Sequence, residues 1–215
     1  MRNKIQNVMR NLILFIFSTL LFCSCGKSKE EKADSLIKKY LLEELYNYDS
    51  YSFIESKFDE AYNIALNDSV CRKHAANIVR IRNNYRDGMR VFTHQMEEAG
   101  LFTKGEDMQG YSIPKIKCYY PEIYETHVMI EKLDNILSDE ILQLKNHKPF
   151  NEKEHIGYSV IHKFRYKDSF GNPATGNYYF LFDKKLKEII YAANFEDEAC
   201  KSMISVLNQF CSANE

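Results

Sequence analysis

Apolar positions recur along this chain with two different periods, and the switch between them separates a helical stretch from a sheet stretch. Over 32–45, Leu36, Ile37, Tyr40, Leu41 and Leu45 return at intervals of three and four among Lys and Glu, which predicts a short amphipathic helix. Over 48–62, Tyr51, Phe53 and Phe58 alternate imperfectly with polar residues and predict one strand. Asp68-Ser69 supplies side-chain oxygens able to cap the next element. From residue 70 to 98 the stripe Cys71, Ala75, Ile78, Ile81, Tyr85, Met89, Phe92 and Met96 predicts a long helix, stopped by Gly100. The stretch 101–120 contains Gly105, Gly110 and Pro114 and reads as a long loop. Pro121 suits a first helical turn, and Ile123, His127, Ile130, Leu133, Leu137, Ile141 and Leu144 continue as one stripe.

After Lys148-Pro149 the period shortens to two. Tyr158, Val160, His162, Phe164 and Tyr166 alternate with Ser159, Ile161, Lys163, Arg165 and Lys167, a half-buried strand with a basic outer face. The turn-rich run 168–176 leads to a return strand at 178–182, a third follows at 188–192, and a helix closes the chain over 196–210. The expected fold is therefore α+β. A long antiparallel helical hairpin (about 69–146) packs with a small antiparallel β-meander (about 156–192), flanked by N- and C-terminal helices within a single domain, 33–215. Few Gly and Pro, eight and four in the chain, leave no linker to divide it.

The N-terminus follows neither period. Arg2, Lys4 and Arg10 form a positive end, and residues 12–22 are apolar except for Ser18 and Thr19. That run is shorter than the ~20 apolar residues a membrane-spanning helix needs, so a cleaved signal peptide, 1–24, is the better reading. Phe22-Cys23-Ser24-Cys25 resembles a bacterial lipobox, whose last Cys receives a diacylglycerol and becomes the mature N-terminus. Lys29-Glu30-Glu31 is similar to the Lys-plus-acidic signal that sends lipoproteins of Bacteroidota to the outer surface. These resemblances imply acylation at Cys25, a tether at 25–32 and an envelope location, anchored to the outer membrane. A further likeness, from 157–171 to the strand 178–183, is to small uncharacterised exported proteins of Bacteroidota and implies only an α+β meander.

Removing residues 1–24 takes away three basic residues and no acid, so 26 Lys and Arg face 30 Asp and Glu, a formal charge of −4. Such a chain is a poor electrostatic partner for nucleic acid. Membrane attachment then rests on the acyl chains of Cys25, each buried CH₂ contributing about 0.8 kcal/mol.

Export leaves Cys71, Cys118, Cys200 and Cys211 outside a reducing compartment. Cys200 and Cys211 fall in one helix about 16 Å apart, beyond the roughly 7 Å Cα limit for a disulfide. The helix-compatible pairings are Cys71 to Cys200 with Cys118 to Cys211, or the crossed set; four buried thiols acting as small apolar residues are the simpler reading. No metal is expected: Cys71 and His74 lie one turn apart, but no second ligand pair follows at a familiar spacing. No cofactor motif is present, and no Gly-x-Ser-x-Gly turn marks a nucleophile. Acid pairs such as Asp139-Glu140 and Glu196-Asp197 fit solvated faces and helix starts.

Fifteen Tyr and fourteen Phe, with no Trp, remain as contact chemistry. Tyr119 and Tyr120 form one candidate surface. Lys163, Arg165 and Lys167 form another, suited either to an acidic partner or to protecting a sheet edge. The sequence thus points to a lipid-anchored, non-enzymatic binding or accessory module with an envelope protein or glycan as partner. The alternative is an envelope hydrolase with its site between sheet and hairpin, built from residues such as His162, Tyr178 and Glu154.

Overall fold

Residues 27–101, 112–147 and 153–211 are described by a computed structural model; the proposed signal peptide and Cys25 lie outside them. Helix α1 (Lys29–Glu44) opens on a capping box, with Ser28 Oγ accepting from the Glu31 amide at 3.1 Å and the Glu31 carboxylate accepting from the Ser28 amide at 2.7 Å. It therefore begins inside the stretch read as a tether, because Ser28 and Glu31 together satisfy its first amides. A single 3₁₀ turn (Tyr48–Ser50) leads into β1 (Ser52–Tyr62). Helix α2 (Ser69–Glu98) starts at the expected cap, Asp68 Oδ1 accepting from both the Val70 and Cys71 amides at 2.8 Å. It ends at Gly100, whose φ of +66° places it in the left-handed region while the Leu101 amide bonds back to the Met96 carbonyl.

The expected loop at 101–120 is helical in its second half. Helix α3 (Ile113–Tyr119) carries Pro114 in its first turn, where a missing N–H costs nothing, and buries Ile116. Residues 102–111 of that loop lie outside the described ones. Helix α4 (Pro121–Asn146) follows, then β2 (His155–Lys167), β3 (Pro173–Asp183), β4 (Ile189–Asn194) and α5 (Glu198–Cys211). Among the described residues, five helices and a four-stranded antiparallel sheet make an α+β protein.

The strands lie in the order β1-β2-β3-β4, all antiparallel. The period of two places Tyr158, Val160, His162 and Phe164 of β2 on one face beside Phe180 and Phe182 of β3, and Ala33, Ile37 and Leu41 of α1 cover them. On the opposite face Ala61, Tyr179 and Leu181 form a smaller cluster with Ile161 and Tyr191. The β3–β4 turn holds Leu186 at a φ of +52°, a costly conformation for a branched side chain. The Asp183 carboxylate offsets this by accepting from the Lys185, Lys187 and Glu188 amides, and Leu186 is buried in the α1 core.

Helices α2, α4 and α5 pack chiefly on one another. Cys71, Ala75 and Ile78 near the start of α2 meet Leu144 near the end of α4 and Met203, Val206 and Leu207 of α5. Phe92 and Met96 near the end of α2 meet Ile123 and Ile130 of α4 and Ile116 of α3. Helices and sheet join at Asn67, which accepts from the Tyr179 hydroxyl at 2.6 Å and donates to the Tyr62 carbonyl at 2.8 Å. Beside it the Arg72 guanidinium lies 3.9 Å above the centre of the Tyr191 ring.

Candidate functional site

The alternation of β2 turns His162 inward, and register sets Ser56 of β1 and Tyr178 of β3 on either side of it. Its ring is fully buried. Nδ1 is 2.6 Å from Ser56 Oγ and Nε2 is 3.0 Å from the Tyr51 hydroxyl, so a neutral imidazole satisfies both nitrogens, one as donor and one as acceptor. Burial pushes His162 below its ordinary value of 6.5, and the same burial raises Tyr51. The Tyr51 ring stacks on the imidazole at an interplanar angle of 5° and fixes its orientation.

Ser56 itself is exposed. It stands in the wall of a cleft of about 290 Å³ between the first turns of α1 and β1. Ala33, Ile37, Phe53, Phe58 and Val160 give this cleft an apolar lining, and Glu30, Glu31 and Asp34 edge it with carboxylates. Asp34 also binds Lys38 Nζ at 2.7 Å. The arrangement suits a ligand group that is apolar at its end and positively charged or amide-bearing nearby. Chemically, a serine hydroxyl against a neutral imidazole has the composition of a nucleophile and its base. Here a tyrosine hydroxyl, rather than a carboxylate, occupies the second ring nitrogen.

The set His162, Tyr178 and Glu154 is not brought together. Tyr178 neighbours His162, but burial first, then Tyr40, pushes its phenol up to about 12. Glu154 immediately precedes the start of β2, eight residues or about 26 Å from His162 along the extended chain, and accepts from Asn63 Nδ2 at 3.2 Å. Ser56 and Tyr51, the residues that do reach His162, sit 106 and 111 positions away in sequence, and no local motif announces them.

The basic face of β2 does not lie on a sheet edge. β2 is interior to the sheet, so Lys163, Arg165 and Lys167 protect no edge. Lys163 pairs with Glu55 across the strand at 2.6 Å. Arg165 and Lys167 are exposed and line a shallow hollow of about 470 Å³ with Asn47, Asp49, Ser50, Tyr166 and Pro173. Tyr119 is exposed at the end of α3, while Tyr120 packs against the α2–α4 cluster, away from the basic strand.

A second polar cluster lies where three helices end. Asp68 caps α2, Cys71 is in its first turn, and His147 caps the end of α4; one ligand atom from each lies within 4.8 Å of the others. His147 Nε2 is 3.2 Å from Asp68 Oδ1. Burial opposes a charge on Asp68, but the Cys71 amide, His147 and the Val70 amide together hold its carboxyl below the usual value of 3.8. Burial, then Asp68 and Cys211, pushes the Cys71 thiol up to about 12, which disfavours its free thiolate. Cys211 packs against the cluster that holds Cys71, and all four described cysteines are free thiols. His74, one turn from Cys71 in sequence, faces Glu140 at 2.6 Å.

No family model, curated protein or solved structure matches this chain. Among the described residues, no helix is long and apolar enough to cross a membrane.

Proposed function

We propose that this chain is a lipid-anchored cell-envelope protein, acylated at Cys25, that acts as a non-enzymatic binding module with the α1–β1 cleft as its principal contact site. The observation that carries the contact assignment is the cleft's make-up, an apolar lining edged by Glu30, Glu31 and Asp34 beside exposed Phe53 and Ile54. Its occupant is an apolar side chain of an envelope protein, flanked by a cation. In this reading α2 and α4 form a long antiparallel hairpin that presents Tyr119 at its far end as a secondary contact. Arg165 and Lys167 offer a site of opposite charge for an acidic group.

Metabolic labelling with an alkyne fatty acid tests the anchor: wild type takes up label and Cys25→Ser does not, and equal labelling of both overturns it. A photo-crosslinking residue at Phe53, in intact cells, tests the cleft. A discrete adduct there, absent when the same residue replaces exposed Val91 on α2, supports the cleft; equal patterns at the two positions refute it.

The 2.6 Å approach of Ser56 to His162 favours one second reading, a serine hydrolase. A fluorophosphonate probe that labels wild type and not Ser56→Ala would establish it in place of the binding module.

A further inference from the structure

We infer that Asp68, Cys71, His147 and Cys211 form a binding site for a thiophilic divalent cation, for which zinc is the best chemical match. The donor set is two thiols, one imidazole and one carboxylate, the mixture that borderline-soft cations select over oxygen-only sites. Three of the four already present ligand atoms within 4.8 Å of each other. A tetrahedral zinc site, with bonds of about 2.0–2.3 Å, needs its ligand atoms about 3.3–3.8 Å apart, a contraction that side-chain rotation can supply. The fourth, Cys211, is the last residue of α5 and packs against the same apolar cluster that holds Cys71, so its thiol is the nearest additional donor on a third helix.

The surroundings fit a site rather than a chance cluster. The Val70 and Cys71 amides fix one oxygen of Asp68 at 2.8 Å, the kind of outer support that orients a ligating carboxylate. A cation takes the place of the contact between His147 Nε2 and Asp68 Oδ1, with the imidazole binding through Nε2 as its neutral Nδ1–H tautomer. Cys71 is buried, whereas Asp68, His147 and Cys211 are partly exposed, leaving an entrance on one side. Binding releases the thiol protons and ties the start of α2 to the ends of α4 and α5, fastening the three helices at one point.

The test uses the full-length chain in detergent micelles with a non-thiol reductant, and Co²⁺ as probe. The expected result is equimolar uptake with thiolate-to-cobalt charge-transfer absorption, reversed by Zn²⁺. Cys211→Ser weakens that absorption, and His147→Ala lowers cobalt affinity by at least about a hundredfold, the upper end of what loss of a supporting partner costs. His74→Ala leaves affinity unchanged. Cys71→Ser buries a hydroxyl and can unfold the chain by itself, so the two partly exposed positions carry the decision, with folding checked by circular dichroism. Absence of charge-transfer absorption in the folded, reduced chain overturns the site, as does unchanged affinity in both His147→Ala and Cys211→Ser. A chain isolated with a Cys71–Cys211 disulfide whose reduced form takes up no cobalt overturns it too, and makes the pair a redox clasp instead.

Discussion

Between α1 and the sheet the fully buried side chains include three phenylalanines, Phe164, Phe180 and Phe182, joined by ring contacts to Tyr40, Tyr178 and His162. Among the helices the corresponding positions near the α5 contact are Cys71, Ala75, Ile78 and Leu144. The first region is held from its middle, where large rings remove much apolar area per residue. The second has smaller side chains and adds polar pairs between helices: Asp68 with His147, His74 with Glu140, and Arg82 with Gln209 at 3.2 Å. Core truncation is thus the larger threat to the sheet region. Loss of terminal polar groups matters more to the helices.

Phe164→Ala is the strongest challenge to this contrast. It is expected to lower stability by about 4 kcal/mol, measured by urea denaturation, because a fully buried ring is lost against Gly176, which has no side chain to fill the space. Leu144→Ala, equally buried among the helices, is expected to cost about 3 kcal/mol in the same measurement. A larger loss at Leu144 than at Phe164 would reverse the ranking of the two regions. Asp68→Ala, measured with a metal chelator present, is expected to cost about 1–2 kcal/mol through lost capping alone. A change within error would show that the helix start is held by packing and not by its polar end.

The finest discrimination comes from pH. The folded state holds His162 below 6.5, so between that value and its folded value the unfolded chain binds the extra proton. The stability contributed by the neutral buried ring is fully present above about 6.5 and is lost as pH falls through the folded value. His162→Gln should reduce the fall in urea midpoint on acidification relative to wild type. Identical pH profiles would show that the sheet core tolerates the charged ring.

Much of the architecture was legible because it is local. The change of period at 148–158, the Asp68 cap, the Gly100 stop and the β2–β3 alternation each depend on residues within one turn or one strand. The second half of the 101–120 stretch was misread, since Pro114 looks like a breaker until it is seen to occupy a first helical turn, with Ile116 as its one buried anchor. The basic face of β2 was legible as a face, but its place in the sheet was not. β1 pairs with β2 across roughly a hundred residues, from 93 at Tyr62–His155 to 113 at Ser52–Arg165, and nothing in the β2 alternation says which strand flanks it. The candidate sites are illegible for the same reason. Ser56 meets His162, Asp68 and Cys71 meet His147, and Cys211 packs onto the Cys71 cluster, only after helices and strands from distant parts of the chain have packed.

The early start of α1 bears on geometry at the bilayer. With Ser28 already engaged as the cap, three residue steps separate it from the proposed acylated Cys25, a reach of no more than about 11 Å. If Cys25 is acylated as proposed, a leash that short confines the domain to the layer just above the lipid headgroups and limits how far it can turn away. Under the lipid-anchored reading, the α1–β1 cleft would then meet its partners by lateral diffusion in the membrane plane rather than by reaching across the periplasm or into the medium.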